Sequence, residues 1–72
     1  MGAYVPPKYT AQIPGGTLEV VAIVQNAQRN ISVKHRFNRR NGVSTLKQTA
    51  RGERYFYAQG DRVYVADLKK VQ

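Results

Sequence analysis

Alternation of apolar and polar residues most limits what this chain can form. Between Ile31 and Phe37 every second residue is Ile, Val, His or Phe, and those between are Ser, Lys and Arg. Successive side chains of a strand point to opposite faces, so this spacing predicts a strand with one face against a core. With 72 residues and no cysteine, the chain is one small domain whose core forms without disulfides.

Turn signals divide the chain after residue 16 into five short predicted strands. They are Leu18–Gln25, Ile31–Phe37, Val43–Ala50, Arg54–Gln59 and Arg62–Ala66. The third is ambiguous, because Ser44 as an N-cap, with Leu46 and Ala50 four residues apart, also suits a short helix. We favour a strand there, since Asn41-Gly42 is a strong hairpin signal that requires a second strand.

Antiparallel strands that follow one another must hide the two edges of their sheet. We predict a mainly β fold, a five-stranded antiparallel meander curled into a small barrel. It resembles SH3-like barrels in strand count, tight turns and one short C-terminal helical turn, Leu68–Val71. An open sheet covered by the N-terminal segment is the alternative. Residues 1–16 hold all three prolines, so we predict an extended Pro/Gly-rich arm there and the β domain over 17–72.

Basic residues are concentrated in the middle of the chain. Residues 29–54 contain eight of the twelve Lys and Arg residues but one of the four acidic residues, and the net charge of the chain is +8. A concentrated basic segment is typical of proteins that bind polyanions, because each neutralised phosphate releases counterions. A solvated face that keeps a protein soluble has the same composition, so charge alone does not identify a partner.

Hairpin turns predict which side chains share a face. A two-residue turn at Asn41-Gly42 places Arg36 opposite Lys47. A three-residue loop at 51–53, followed by a turn at Gly60-Asp61, directs the phenol rings of the last strands to the same side. The predicted nucleic-acid-binding residues, which we call the predicted basic face, are Arg29, Lys34, Arg36, Arg39, Arg40, Lys47, Arg51, Tyr55, Tyr57 and Tyr64.

Cations and exposed rings on one sheet face suit a nucleic acid. Lys and Arg bind phosphates, and aromatic rings stack on unpaired bases. Half-buried tyrosines whose hydroxyls reach water are the alternative explanation. We therefore predict a non-enzymatic module that binds DNA or RNA with modest specificity, since no recognition helix is predicted. The lack of cysteine is compatible with a reducing compartment, and we predict a cytoplasmic location.

The arm predicts a second kind of contact. Pro6-Pro7-Lys8-Tyr9 fits the PPxY pattern that WW domains bind. The predicted partner-binding residues are Tyr4, Val5, Pro6, Pro7 and Tyr9. Packing of this arm across the core is the simpler interpretation. The alternative function is a phage- or mobile-element-type regulator that binds a large host machine such as RNA polymerase. A structural subunit of a ribonucleoprotein or photosynthetic complex is a third possibility, which no residue or motif specifically indicates.

Catalysis and metal binding are not predicted. The one histidine, His35, falls on the apolar side of its strand, and the four acidic residues are scattered. Neither a metal ligand set nor a carboxylate pair for acid–base chemistry results. We expect no cofactor. The longest mainly apolar run, Val20–Val24, is too short to cross a bilayer, so no membrane partner is expected.

Overall fold

The structure, a computed structural model, describes residues 4–71 as a chain of short strands. These are β1 (Tyr9–Ile13), β2 (Gly16–Gln25), β3 (Ile31–Phe37), β4 (Arg40–Thr45), β5 (Lys47–Gln48), β6 (Arg54–Ala58), β7 (Asp61–Tyr64) and β8 (Lys69–Lys70). A 3-10 helix, Val65–Asp67, separates β7 from β8. The sheets are antiparallel, so the mainly β prediction is confirmed.

Two sheets enclose the core. The larger has the strand order β4-β3-β2-β1-β8 and the smaller has the order β5-β6-β7. The predicted strand Val43–Ala50 is extended and not helical, but it is divided at Leu46 into β4 and β5, which belong to different sheets. Over residues 4–71 the strands do not close into a barrel, so the SH3-like barrel is not confirmed.

Both ends of the described chain differ from the five-strand meander. The second half of the predicted arm is β1, which pairs with β2 on one side and β8 on the other. Pro14-Gly15 turns the chain between β1 and β2, with Gly15 at φ 96°. The predicted helical turn at Leu68–Val71 is wrong: the helical residues come just before it, and Lys69 and Lys70 pair with β1 instead.

Asn41-Gly42 is not the turn between β3 and β4. The turn is Asn38-Arg39, whose φ values of 50° and 65° are both positive, as a two-residue type I′ turn requires. Gly42 lies within β4, directly opposite His35. A Cβ atom at Gly42 would lie 2.5 Å from His35 Cε1, so the glycine makes room for the imidazole ring.

The two later turns begin one residue before their predicted positions. The β5–β6 loop is 50–52, closed by the Thr49 N–H donating to the Glu53 carbonyl oxygen, and the β6–β7 turn is Gln59-Gly60. Each shift moves the cross-strand partners by two positions, so the predicted faces are preserved. The side chains that these strands bury are Phe56, Ala58 and Val63.

The core is filled from both sheets. The larger sheet contributes Ala11, Leu18, Val20, Val33 and Phe37, and the smaller contributes Phe56, Ala58 and Val63. His35 is buried beside them, and its ring stacks on that of Phe56 with 5.9 Å between ring centroids. These contacts set the two sheets face to face, so their outer faces turn to solvent. Within residues 4–71, no helix is long and apolar enough to cross a membrane.

Candidate functional site

The predicted basic face is divided between the two sheets. Lys34 and Arg36 lie on the outer face of the larger sheet, whereas Lys47 lies on the smaller sheet opposite Tyr55. The predicted pairing of Arg36 with Lys47 is wrong. Because the turn is Asn38-Arg39, β4 runs past the start of β3 before it reaches Lys47, which then has no partner in β3 and pairs with β6.

Arg36 has a structural role on the larger sheet. Its Nε donates to Glu19 Oε1 at 2.7 Å and its Nη2 donates to the Val5 carbonyl oxygen at 3.1 Å. Its Cζ also lies 4.9 Å from the centroid of the Tyr4 ring. The hydrogen bond to Glu19 raises the pKa of the Arg36 guanidinium. Arg36 therefore holds the N-terminal segment against β2 and β3 through its Nε and Nη2 atoms.

Tyrosine side chains gather on the outer face of the smaller sheet. Tyr55 lies opposite Tyr64, and Tyr57 lies opposite Arg62. The centroid of the Tyr55 ring is 5.7 Å from those of both Tyr57 and Tyr64. Tyr57 is 42% exposed, and the other two rings are half-buried. The predicted common face of the three tyrosines is present in these registers.

Arg62 lies among these rings, although sequence reasoning did not include it. Its Cζ lies 4.4 Å from the centroid of the Tyr55 ring. Its Nη1 donates to the Tyr64 hydroxyl at 3.3 Å and its Nε to the Tyr57 hydroxyl at 3.4 Å, and these bonds raise the pKa of the guanidinium. Strand parity was sufficient to predict it, since Arg62 lies two residues before Tyr64 in β7 and therefore shares its face. The turn at Gln59-Gly60 places it opposite Tyr57. We call Tyr55, Tyr57, Arg62 and Tyr64 the tyrosine–arginine face.

A small cavity opens beside the tyrosine–arginine face. Its volume is about 170 Å³, and its lining includes Arg29, Lys47 and Arg54. We call this cavity the cationic pocket. Lys47 connects the two features, because it lines the cavity and is the cross-strand neighbour of Tyr55. Arg54 is exposed at the start of β6. It was not predicted as a site residue because strand parity directs it towards the rim of the core.

The loop that carries Arg29 is held by Asn26. The Asn26 side-chain Oδ1 accepts hydrogen bonds from the backbone N–H groups of Gln28 and Asn30, at 2.9 and 3.0 Å. The Asn26 N–H donates to the Asn30 carbonyl oxygen, and the Arg29 N–H donates to the Asn26 carbonyl oxygen. Arg29 itself has a φ of 67°, in the left-handed region. These bonds fix the backbone of Arg29 beside β5.

The remaining predicted arginines lie apart from one another. Arg39 is in the β3–β4 turn, Arg40 lies opposite Phe37, and Arg51 is in the β5–β6 loop, and all three are exposed. Within residues 4–71, none of them lines the cationic pocket, and none forms a hydrogen bond or cation–π pair with the tyrosine–arginine face. The structure therefore brings together part of the predicted basic face and separates the rest.

The predicted partner-binding residues of the arm do not form one free segment. Tyr4, Val5 and Pro6 are exposed, but Tyr9 is half-buried in β1 and packs against the core. The Lys8 backbone donates to a carbonyl oxygen of β2 and accepts a hydrogen bond from the residue after β8. A WW-type groove would reach the tyrosine of the PPxY pattern only if β1 left the sheet.

His35 connects the core to the strand that carries Tyr57. Its Nε2 lies 2.9 Å from Ser44 Oγ, and the Ser44 hydroxyl donates to the Tyr57 carbonyl oxygen. Burial lowers the pKa of His35, which favours the neutral imidazole. Within the described residues, no three metal-ligating side chains lie together. His35 therefore positions β6 and belongs to no metal centre formed by those residues.

Compared with known protein families, curated proteins and solved structures, the chain shows no significant match to any. A functional proposal for it accordingly depends on the geometry of the tyrosine–arginine face and the cationic pocket.

Proposed function

We propose that this protein is a non-enzymatic module that binds single-stranded nucleic acid on the outer face of its smaller sheet. The observation that carries the proposal is the guanidinium of Arg62, 4.4 Å from the centroid of the Tyr55 ring on the exposed side of that sheet. A guanidinium is planar, so one of its faces can contact a tyrosine ring while a nucleobase stacks on the other. The exposed ring of Tyr57 offers a second stacking surface beside it.

The charge around this face supports a polyanionic ligand. Lys47 adjoins Tyr55, and Arg29 and Arg54 lie beyond it around the cavity. Glu19 is already paired with Arg36 on the larger sheet. Within residues 4–71, no carboxylate forms an ion pair with a residue of the tyrosine–arginine face or the cationic pocket. Phosphates bound there would meet uncompensated positive charge, and the net charge of +8 would attract them from a distance.

The shape of this face favours unpaired bases over a duplex. Bases in a duplex are stacked on each other, so a tyrosine ring cannot stack on their faces without unstacking them. The smaller sheet presents rings and a guanidinium side by side and no helix that enters a major groove. The proposal requires only the two open sheets and not a closed barrel.

A binding assay with matched probes tests this proposal. Fluorescence anisotropy would compare single-stranded DNA, single-stranded RNA and duplex DNA at about 50 and about 200 mM salt. We expect single strands to bind more tightly than duplex and all affinities to fall as salt increases. Binding that is undetectable at the lower salt, or a preference for duplex, would contradict the proposal.

A second candidate function is supported by the larger sheet. Tyr4, Val5 and Val43 are 71%, 50% and 66% exposed and line a groove together with Lys34. Exposed apolar side chains beside a cation are typical of a protein contact, here with an acidic partner such as a subunit of RNA polymerase. A purified complex that resists nuclease and is lost on Val43→Lys, but not on Tyr57→Ala, would favour this function over the first.

A further inference from the structure

We propose that the cationic pocket is a binding site for a single phosphate group. The inference rests on the proposed function and deepens it, because it assigns the place where one phosphate of a bound strand is held. The bases of that strand lie on the tyrosine–arginine face, and Lys47 is the residue shared by the two sites.

The chemistry of the lining supports an anion. Arg29, Lys47 and Arg54 contribute three cations to the lining, and Asn30 and Gln48 contribute side-chain amides. Within the described residues, no carboxylate lines this cavity, since Glu53 lines the neighbouring cavity instead. Like charges around one cavity repel each other, so a bound phosphate would both neutralise them and receive the forked hydrogen bonds of the arginines.

The size of the cavity limits the ligand. Small-molecule sites usually have volumes of about 300–1,000 Å³, whereas this cavity, which is open to solvent, has a volume of about 170 Å³. It therefore suits one phosphate group better than a nucleobase with its sugar. Bases have to bind elsewhere, and the adjoining tyrosine–arginine face offers the stacking surfaces that they need.

The pocket is organised before any ligand binds. Asn26 holds the backbone of Arg29 through hydrogen bonds from the loop. On the other side, Lys47 lies in β5, and the N–H of the preceding residue, Leu46, donates to the Ile31 carbonyl oxygen at the start of β3, at 2.7 Å. Because the backbone of both walls is hydrogen-bonded, binding does not require a loop to become ordered, and this favours affinity.

A matched pair of variants tests the pocket. Arg29 and Arg39 are both exposed arginines with positive φ, 67° and 65°, and asparagine tolerates that conformation. Arg29→Asn and Arg39→Asn each remove one positive charge, but only the first alters the pocket. We expect Arg29→Asn to weaken binding of a single strand about tenfold and to reduce the slope of log K against log salt by about 0.7.

The control variant should change affinity by less than about twofold, since salt screens a distant charge. Equal losses in Arg29→Asn and Arg39→Asn would overturn the inference. An NMR titration with inorganic phosphate at constant ionic strength adds a direct measurement. The expected shifts are confined to the amides of residues 29–31, 46–48 and 54 and are absent in Arg29→Asn; no shifts in the wild type would also overturn it.

The phosphate can come from the backbone of the strand or from its end. Oligonucleotides with and without a 5′-phosphate distinguish the two sources. Either source supports the pocket if Arg29→Asn weakens binding more than Arg39→Asn does. If the wild type binds no strand but inorganic phosphate still shifts the pocket amides, the proposed function fails and the phosphate site stands. If strands bind with equal losses in both variants, the phosphate site fails and the proposed function stands.

Discussion

The hydroxyl of Ser44 donates a hydrogen bond to the backbone carbonyl oxygen of Tyr57 and so joins the larger sheet to the smaller. Since its proton is used there, Ser44 accepts a hydrogen bond from Nε2 of His35, 2.9 Å away. In the neutral ring the other nitrogen, Nδ1, carries no proton, and it is buried without a hydrogen-bond partner among the described residues. Protonation of His35 would keep the Nε2 donor but add a buried N–H at Nδ1 that has no acceptor among the described residues, so the fold favours the neutral imidazole.

Acidification should destabilise the fold through His35. Burial lowers its pKa in the folded state below the ordinary 6.5, so the unfolded chain binds the proton more readily. The stabilising contribution of the neutral ring is complete above about pH 6.5 and is lost as the pH falls through the folded pKa. Urea unfolding midpoints measured from about pH 7.5 down to about pH 5 should decrease across that window.

His35→Gln is the control for this effect, because glutamine keeps an N–H donor for Ser44 but does not titrate. The variant should be less stable at neutral pH and should lose most of the pH dependence between about pH 5 and pH 6.5. An unchanged pH dependence in the variant would assign the effect to other groups.

Substitution of Gly42 by alanine should destabilise the protein by about 1–3 kcal/mol. The new Cβ would lie 2.5 Å from Cε1 of His35, so the ring or β4 must shift. Chemical denaturation measures the cost. In a His35→Ala background the ring is absent and the same substitution should cost little. A cost that is equal in both backgrounds would show that the glycine serves backbone conformation and not the imidazole.

Removal of the Tyr57 ring should weaken binding of single-stranded nucleic acid. Loss of one base–aromatic stack costs about 1–3 kcal/mol, and Tyr57 is the exposed ring of its face. Tyr4→Ala is the matched control, because Tyr4 is also an exposed tyrosine beside an arginine guanidinium, but on the larger sheet. Anisotropy titrations should separate Tyr57→Ala from Tyr4→Ala; equal affinities would place the contact surface elsewhere.

Replacement of Arg62 by lysine should reduce affinity without changing its salt dependence. Lysine keeps the charge but loses the planar group that lies against Tyr55 and the hydrogen bonds to Tyr57 and Tyr64. We expect affinity to fall about threefold or more, with the slope against log salt unchanged. A lysine variant that binds as well as the wild type would mean that Arg62 acts only as a charge.

Loss of the Arg36 side chain should affect the N-terminal segment more than ligand binding. Arg36→Gln removes the bonds to Glu19 and to the Val5 carbonyl oxygen, so hydrogen exchange of the amides in residues 4–9 should accelerate. Lys47→Gln removes the same charge from the cationic pocket and should weaken binding of a single strand without altering that exchange. If Arg36→Gln weakened binding and Lys47→Gln did not, Arg36 would belong to the contact surface.

Local patterns were sufficient for the parts of this fold that depend on strand parity. The alternation between Ile31 and Phe37 identified the buried face of β3. A loop of three residues between β5 and β6 directed Phe56 inwards and Tyr55 outwards, although the loop begins one residue earlier than expected. The inward or outward direction of each side chain is unchanged by such a shift, because the shift displaces the cross-strand partners by two positions.

The tertiary structure decided where the strands turn and which cations meet. Asn41-Gly42 has the composition of a hairpin turn, but its glycine is needed inside β4, where the ring of His35 leaves no space for a side chain. Because the turn lies at Asn38-Arg39 instead, Lys47 belongs to the smaller sheet, and Arg36 pairs with Glu19 and not with Lys47. Alternation of side chains is a local property of the backbone, whereas a ring packed against a distant strand exists only once the sheets have come together.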